Sequence, residues 1–251
     1  IQGEGRLAGV PSFFIRTSGC NLRCSWCDTP ETSWRPTGGE LARNELVERA
    51  SSCRCEHVVV TGGEPLLQPE IVPLTRELAG KGRHVTIETA GTLFRAVHAD
   101  LVSLSPKLAN STPGSGRWMA RHEATRDNPD VIRCWIDNYD YQLKFVVDQP
   151  ADVDDVARFV ERFPQMASEH VWLMPQAVTS DELADRAGWI DTAAVTACRP
   201  GCTAPCSGTG RGREGPGSAA AQTGESGTGS DQAALPTAHR PQSNSGRRPW
   251  S

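Results

Sequence analysis

Three cysteines near the start of the chain carry its most specific chemical signal. Cys20, Cys24 and Cys27 stand in the run Gly-Cys-Asn-Leu-Arg-Cys-Ser-Trp-Cys-Asp-Thr. This C-x3-C-x2-C spacing puts three thiolates on one short loop, close enough to ligate three irons of a cuboidal iron–sulfur cluster. Four cysteines usually close an electron-transfer cluster, so three predict an iron that is open to a substrate or cofactor. Structural zinc sites usually pair two knuckles, and no second knuckle lies at a convincing distance.

Inert thiols are the alternative interpretation of this motif, because free cysteine is among the most buried residue types. The intervening Asn21, Arg23 and Ser25 are polar, however, which is typical of an exposed loop rather than a core strand. The spacing and the polar neighbours together favour a metal cluster.

The other cysteines give weaker signals. Cys53 and Cys55 form a C-x-C pair that we interpret as accidental, and Cys134 falls in a predicted helix and is expected in the core. A zinc or auxiliary-cluster site remains an alternative for three further cysteines with regular spacing, Cys198, Cys202 and Cys206.

Apolar strands and amphipathic helical stretches alternate along the chain up to about residue 200. A predicted strand over Ser12–Thr17 runs directly into the cysteine loop, and another over residues 57–61 ends at two glycines. This alternation predicts an α/β fold in which helices connect the strands of a parallel sheet. Such sheets carry their chemistry at the C-terminal ends of the strands. Further strands are predicted at residues 84–88, 101–105, 142–147 and 170–174, and helices at 40–51, 70–80, 130–136, 153–162 and 181–197.

The composition changes at about residue 200. Residues 207–251 are rich in Gly, Ser, Pro, Thr and Arg and contain scarcely any aliphatic side chain larger than alanine. Such a segment cannot bury enough apolar surface to offset the entropy lost on ordering. We therefore predict one domain over residues 1–198 and a low-complexity, disordered tail over residues 199–251.

Size and charge exclude several classes of protein. With 251 residues, 37% of them hydrophobic, the chain can fill the core of one sizeable α/β domain. Its formal charge of −4 and the lack of a dense basic patch argue against a nucleic-acid partner. Neither a membrane-spanning apolar run nor a secretory signal is present, so we expect a reduced, cytoplasmic protein. The first residue is Ile1 rather than methionine, which suggests a clipped or incomplete N-terminus.

A second motif, Thr61-Gly62-Gly63-Glu64-Pro65, follows the second predicted strand. Two glycines let a backbone approach a ligand closely, and the carboxylate can accept a hydrogen bond from a cationic amino group. Together with the cysteine loop, the motif resembles the radical S-adenosylmethionine superfamily. In that superfamily the open iron binds the amino and carboxylate groups of S-adenosylmethionine, and reduction of the cluster cleaves the sulfonium to a 5′-deoxyadenosyl radical.

The sequence around these motifs resembles the 7-carboxy-7-deazaguanine synthase family more specifically. The resemblance covers about residues 1–198, is most specific in the first thirty, and implies a partial (β/α) barrel of the radical SAM type, abbreviated relative to the six-fold superfamily core. The segments that carry it are Ile1-Gln2-Gly3-Glu4-Gly5, Gly9-Val10-Pro11, Phe14-Ile15-Arg16, residues 19–29, Glu88-Thr89-Ala90-Gly91-Thr92, residues 103–107, residues 142–146 and residues 172–176.

The resemblance implies a role for each matching residue. Cys20, Cys24 and Cys27 would carry a 4Fe–4S cluster, and the Thr29 hydroxyl would ligate a magnesium ion, Mg2+. A pterin substrate would contact Ile1, Gln2, Gly3, Arg16 and Thr61, with Arg16 on its carboxylate. S-adenosylmethionine would be bordered by Trp26, Cys27, Asp28, Gly63, Glu64, Glu88, Ser105, Pro106, Lys107, Met174, Pro175, Gln176 and Ala177, with Glu88 on its ribose hydroxyls.

Ordinary structural roles remain open for four of these residues. Arg16 could pair with a carboxylate at the sheet edge, although an inward-facing arginine among apolar neighbours favours an anionic ligand. Thr29 could be the N-cap of a turn. Lys107 could be a surface lysine and Glu88 a solvated strand end, although their places at strand ends favour a binding role.

The implied reaction is a radical ring contraction in queuosine and deazapurine biosynthesis. It converts 6-carboxy-5,6,7,8-tetrahydropterin to 7-carboxy-7-deazaguanine and releases ammonia. An external flavodoxin- or ferredoxin-like protein would donate one electron, and a homodimer is usual in the family.

Two other functions stay open. One is a glycyl-radical-enzyme activase with the same cysteine loop, although the Gln-Gly-Glu-Gly opening and Arg16 suit a small anionic substrate better. The other is an inactive homologue that binds a cluster and turns nothing over. It is considered because Arg199-Pro200-Gly201-Cys202 and the tail replace the family's aromatic and leucine-rich C-terminal segment, a change that a shifted reading frame would explain.

Overall fold

The computed structural model describes residues 1–197, with side chains described up to residue 190. Six parallel strands form one sheet and pair in the order in which they occur along the chain. Helices occupy most of the connections, as parallel strand pairs require. The elements are β1 Ser12–Thr17, α1 Arg43–Ser52, β2 His57–Gly62, α2 Ile71–Gly80, β3 His84–Thr89, β4 Leu101–Leu104, α3 Arg117–Arg126, α4 Pro129–Asn138, β5 Tyr141–Val147, α5 Pro150–Glu161, β6 Val171–Pro175 and α6 Ser180–Ala197.

One face of the sheet is apolar and packs against the helices. Ile15, Val60 and Ile87 lie side by side in β1, β2 and β3, and all three are buried in the main hydrophobic core. Val102 and Tyr141 continue this row across β4 and β5, and both belong to the same core. Because side chains alternate along a strand, the intervening residues must all lie on the opposite face.

The opposite face is polar at its C-terminal side. Arg16 of β1 lies beside Thr61 of β2, and Glu88 of β3 lies beside Ser103 of β4. Lys144 of β5 lies beside Trp172 of β6. Since all strands are parallel, these side chains share the edge at which the cysteine loop begins. We call the C-terminal part of this side of the sheet, which carries Arg16, Thr61, Glu88, Ser103 and Lys144, the polar face.

The predicted partial barrel is confirmed. All six predicted strands are present, with ends that differ from the prediction by one residue at most. No α-helix connects β3 to β4, which makes the barrel abbreviated. β1 and β6 form the two edges of the sheet, and no pairing joins them within residues 1–197.

Three differences from the sequence predictions stand out. Helix α3 was not predicted, and α1 begins at Arg43 rather than at residue 40, because a Pro- and Gly-containing loop precedes it. Cys134 is exposed rather than buried, since α4 turns Ile132, Trp135 and Ile136 toward the core instead.

Two further expectations concern the C-terminal tail and the lack of a membrane-spanning segment. The predicted tail, residues 199–251, and the regularly spaced cysteines from residue 198 onward lie outside the described residues. Within residues 1–197, none of the helices is long and apolar enough to cross a membrane.

Candidate active site

The cysteine loop follows β1 and folds over the C-terminal edge of the sheet. Cys24 is buried, whereas Cys20 and Cys27 are half-buried. The three cysteines pack in one small hydrophobic cluster with Leu22 and Ala90. The loop therefore gathers its thiols in an apolar environment, from which water is largely excluded.

A buried histidine that the sequence did not single out supports this loop. His122 of α3 accepts a hydrogen bond at Nδ1 from the Arg23 amide, at 3.1 Å, and its Nε2 lies 2.9 Å from the Ser111 hydroxyl. The Ser111 carbonyl in turn accepts from the Ser25 amide at 2.9 Å. This role could not be predicted from the sequence, because a lone histidine on a helix has no ligand spacing.

The thiols favour metal ligation over free reactivity. Burial raises the pKa of Cys20, and it raises the pKa of Cys24 to about 11, despite the nearby positive charge of Lys107. Unligated, these cysteines are therefore protonated at neutral pH and are poor nucleophiles. Coordination to a metal supplies the positive charge that a buried thiolate needs.

The loop fits a cluster better than a single metal ion. Among the described residues, no three His, Cys, Asp or Glu side chains converge on one metal-ion position. A cuboidal cluster is ligated at separate corners, so its cysteines lie farther apart than the ligands of one zinc ion. The arrangement of Cys20, Cys24 and Cys27 is therefore more typical of cluster ligands than of the ligands of one zinc ion.

The two glycines after β2 allow close packing against the cysteine loop. Gly62 has φ of +143°, and a Cβ there would lie 2.2 Å from the Thr17 carbonyl oxygen. At Gly63 a Cβ would lie 2.2 Å from the carbonyl oxygen of Gly19. The expectation that the glycines serve close approach to a ligand is therefore corrected in part: their first partner is the backbone that leads into the cysteine loop.

The Glu64 carboxylate is turned into the protein, and its predicted contact with the amino group of S-adenosylmethionine stays a prediction. It is fully buried and accepts hydrogen bonds from the Thr89 hydroxyl at 2.9 Å, from the Ala90 amide at 3.0 Å and from the Leu66 amide at 3.1 Å. Burial raises its pKa in spite of these bonds. Glu64 thus joins the ends of β2 and β3 beneath the cysteine loop.

A charged network occupies the polar face. The Lys144 ammonium, which is buried, donates to Glu4 Oε2 at 2.8 Å and lies 3.5 Å from Glu88 Oε1. Glu88 Oε1 also accepts from the Gln2 side-chain amide at 2.9 Å. Burial opposes ionisation of Glu88, but Lys144 and hydrogen bonds from Thr61 and Gln2 hold its pKa below the usual value. Glu88 is therefore an ionised acceptor rather than a solvated strand end.

Arg16 differs from the prediction in its exposure. Its side chain is exposed rather than inward-facing among apolar neighbours, so the cost of burying an unpaired charge gives no support to a ligand role. It also forms no ion pair with another described residue, which removes the sheet-edge alternative. Arg16 is thus a free cation on the polar face beside the buried Thr61.

Thr29 stands where a short 3-10 turn begins, but its side chain makes no capping hydrogen bond. Its hydroxyl instead lies 3.3 Å from the Asp28 carboxylate, which is exposed. Thr29 is therefore the N-cap of this turn by position, without a side-chain cap. Its hydroxyl and the Asp28 carboxylate place two oxygen-bearing side chains together at the end of the cysteine loop.

Lys107 is placed by contacts that a surface lysine would lack. Its ammonium donates to the Ser105 hydroxyl at 2.7 Å and lies 5.3 Å from the centre of the Trp26 ring. The Trp26 indole donates to the Asn110 carbonyl at 3.1 Å. The end of β4 therefore meets the cysteine loop.

The remaining predicted residues lie at the same edge with different exposures. Gln2 is buried, whereas Ile1 and Gly3 are exposed, and Pro106 is buried beside half-buried Ser105. Half-buried residues at the end of β6 and just beyond it complete the edge, namely Met174, Pro175, Gln176 and Ala177.

Comparison with known proteins agrees with this geometry. Residues 14–111 match the radical SAM superfamily. A 7-carboxy-7-deazaguanine synthase of Halobacterium salinarum is 43% identical over 208 residues, which cover 78% of this chain and 81% of the relative. The chain belongs to the 7-carboxy-7-deazaguanine synthase family. The enzyme of that name from Rhodopirellula baltica is 41% identical over 199 residues, covering 78% of this chain and 77% of its own.

A solved structure of the same family supports the fold. The crystal structure of QueE from Escherichia coli has a TM-score of 0.50 and 25% identity, and the match covers 73% of this chain and 82% of that chain. Membership of the radical SAM superfamily carries with it a 4Fe–4S cluster and S-adenosylmethionine. The cysteine loop of this 7-carboxy-7-deazaguanine synthase family member has the donors that such a cluster needs.

Proposed function

We propose that the chain is a radical SAM lyase that contracts the ring of 6-carboxy-5,6,7,8-tetrahydropterin to give 7-carboxy-7-deazaguanine and ammonia. The proposal rests on one observation: two groups of residues with suitable chemistry lie at the same edge of the sheet. The cysteine loop lies at this edge, and the polar face beside it holds a free arginine and an ionised carboxylate. A small anionic substrate suits that combination, and the curated relatives are named for this product.

Cys20, Cys24 and Cys27 would hold the cluster in this proposal. When bound, the cluster and S-adenosylmethionine supply a radical that abstracts hydrogen from the substrate. The chain contributes binding, orientation and exclusion of water, as proteins do around such cofactors. The apolar packing of the cysteine loop would help to exclude water.

The S-adenosylmethionine site would be formed at the ends of five strands, β1 to β4 and β6. Glu88 is held ionised, so it can accept hydrogen bonds from ribose hydroxyls. Glu64 would act indirectly, because its carboxylate fixes the amides of Ala90 and Leu66. The rest of the site would be the predicted set: Trp26, Cys27, Asp28, Gly63, Ser105, Pro106, Lys107, Met174, Pro175, Gln176 and Ala177.

The pterin would lie against the polar face and the N-terminal residues Ile1, Gln2 and Gly3. Arg16 would bind the substrate carboxylate, since its guanidinium pairs with no carboxylate among residues 1–190 and suits bidentate recognition. Thr61 would contact another polar edge of the substrate. Thr29, with Asp28 beside it, would hold a magnesium ion that keeps waters and substrate oxygens as its other ligands.

The external electron donor would dock on α3, next to the cysteine loop. Three guanidinium carbons surround the Trp118 ring, at 4.4 Å from its centre for Arg23, 5.0 Å for Arg117 and 5.5 Å for Arg121. Arg117 and Arg121 are exposed and form no ion pair with another described residue. Arg23 itself belongs to the cysteine loop. A small acidic carrier protein of the flavodoxin or ferredoxin kind would complement this cationic surface.

Anaerobic turnover tests the proposal. The chain is reconstituted with iron and sulfide, then given dithionite, S-adenosylmethionine, magnesium and 6-carboxytetrahydropterin, and the products are analysed by mass spectrometry. We expect 7-carboxy-7-deazaguanine, and none from a Cys27→Ala variant. Formation of 5′-deoxyadenosine without the deazaguanine would contradict the substrate assignment. Neither product from a chain with a full cluster would indicate an inactive homologue.

A further inference from the structure

We infer that Lys144 is a positioning residue, which anchors the N-terminal segment, residues 1–10, across the polar face. The inference rests on the proposed function, because that segment would contact the pterin. Lys144 itself would touch neither substrate nor cofactor. It would act through the carboxylates of Glu4 and Glu88.

The charge of Lys144 is buried and compensated on two sides. Its side chain is 6% exposed, and its ammonium lies 2.8 Å from Glu4 and 3.5 Å from Glu88. A buried ammonium is costly unless it is paired and hydrogen-bonded, so this lysine needs both carboxylates near it. One of them comes from β3 and the other from the N-terminal segment, so Lys144 joins two parts of the site.

Polar contacts rather than apolar burial hold the N-terminal segment. Only Gln2 is buried among residues 1–10, and Ile1 is 82% exposed. Two backbone hydrogen bonds join the ends of the segment. The Gln2 backbone amide donates to the Val10 carbonyl at 2.8 Å, and the Gly9 amide donates to the Gln2 carbonyl at 2.8 Å. A segment with so little apolar contact keeps its place only through its polar partners.

Among the residues that the structure describes, two ion pairs reach this segment, and they differ in burial. Arg6 pairs with Asp140, but these side chains are 42% and 51% exposed, and exposed pairs contribute little. The Lys144–Glu4 pair is shielded on the lysine side, and breaking such a pair leaves an uncompensated charge. The structure therefore offers a matched control, an exposed pair on the same segment.

The experiment compares Glu4→Gln and Lys144→Met with the control Asp140→Asn. Amide hydrogen exchange of residues 1–10, measured on the full chain without ligands, reports anchoring directly. We expect exchange there to quicken by at least about tenfold in Glu4→Gln and Lys144→Met, the loss expected for one charge-assisted hydrogen bond. Asp140→Asn should leave it within about twofold of the wild type.

Kinetics of the reconstituted enzyme give a second readout. The KM for the pterin should rise at least about tenfold in Glu4→Gln, with the KM for S-adenosylmethionine nearly unchanged. Lys144→Met should raise the KM for the pterin and the KM for S-adenosylmethionine, because Glu88 also loses its cation. Lys144→Arg should restore part of the affinity for each of them. The double variant Glu4→Gln/Lys144→Met should bind the pterin no worse than Lys144→Met alone, because both substitutions remove the same Lys144–Glu4 contact.

Unchanged exchange in residues 1–10 of both Glu4→Gln and Lys144→Met would overturn the inference. So would additive effects of the two substitutions on the pterin KM. If Lys144→Met does not fold, Glu4→Gln carries the test, because Glu4 is half-exposed. If the wild type turns over no pterin, the proposed function fails, whereas hydrogen exchange still decides whether Lys144 anchors the segment.

Discussion

Gly63 illustrates how a single residue sets the distance between β2 and the cysteine loop. Its amide donates to the Thr17 carbonyl at 3.1 Å, and the next amide, of Glu64, donates to the Gly19 carbonyl at 2.8 Å. These bonds bring two backbones into direct contact, with no room for a side chain between them. The two glycines after β2 therefore pack this strand directly against the start of the cysteine loop.

Gly63→Ala should destabilise the fold strongly. The new Cβ would lie 2.2 Å from the Gly19 carbonyl oxygen and 2.7 Å from that of Thr32, both backbone atoms that cannot rotate away. We expect a loss of roughly 3 kcal/mol in the free energy of unfolding, as for severe overpacking. Urea denaturation measures it, with Gly114→Ala as the control because nothing lies within 4 Å of that Cβ position. Equal losses in both variants would contradict the steric explanation.

His122 makes a pH-dependent contribution to stability. Burial lowers its pKa, so the folded state favours the neutral ring, whose Nδ1 accepts from Arg23. In the unfolded chain the ring gains its proton near pH ~6.5. The stabilisation is therefore complete above that pH and declines as the pH falls through it, because the unfolded state binds more protons.

His122→Asn isolates this effect, since its amide oxygen can replace Nδ1 as the acceptor and does not titrate. The free energy of unfolding of the wild type should fall more between about pH 8 and about pH 5.5 than that of the variant. Parallel pH profiles would mean that His122 does not supply the difference. His84, whose pKa burial also lowers, is present in both proteins and cancels in the comparison.

Helix α3 is the element that links the cysteine loop to the protein surface. Its buried side carries His122, which holds the loop, and its exposed side carries Arg117 and Arg121 around Trp118. The helix follows Gly116, which has φ of +85° and so permits the sharp turn into it. One short helix thus both supports the loop and presents a cationic surface beside it.

Reversing the charge of this surface should slow electron delivery by a protein donor. In Arg117→Glu/Arg121→Glu, turnover driven by an acidic flavodoxin should fall at least about tenfold at low salt, because like charges oppose docking. Turnover driven by dithionite should stay within about twofold. Arg49→Glu serves as the control, since α1 ends just before β2 begins and so lies toward the opposite edge of the sheet. A similar loss with both reductants would contradict a docking role.

At the scale of the whole molecule, sequential parallel pairing gathers the site. Each of the six strands ends at the same edge, so segments from residues 1 to 177 meet there although the chain distance between them is large. The contact between Lys144 and Glu4 joins residues that are 140 positions apart. The polar face thus joins segments that are far apart along the chain.

The tail prediction can be tested on stability alone. Residues 207–251 contain too little apolar surface to add to a core, so a chain that ends at residue 198 should unfold with the midpoint of the full chain. Thermal unfolding followed by circular dichroism measures this. A clearly lower midpoint would mean that the tail packs on the domain. Sedimentation of both chains tests the predicted homodimer at the same time.

Much of the fold could be predicted because its signals are local. The apolar runs of β1 to β6 and the spacing of Cys20, Cys24 and Cys27 are properties of short segments, and they are sufficient for a parallel sheet and a cluster loop. Helix α3 was missed because its run Arg-Trp-Met-Ala-Arg-His-Glu-Ala-Thr-Arg has few apolar residues. Its place depends on His122, whose partners lie in other segments.

By itself, the sequence determined the cysteine loop, the succession of strands and helices along the chain and the parallel α/β class. Only the tertiary structure decided the environment of each charge. It exposes Arg16, buries Glu64 against Thr89 and pairs Lys144 with Glu4 and Glu88. The reason is physical: local pattern fixes which face of an element a side chain takes, but burial and partners depend on segments that are distant in the chain.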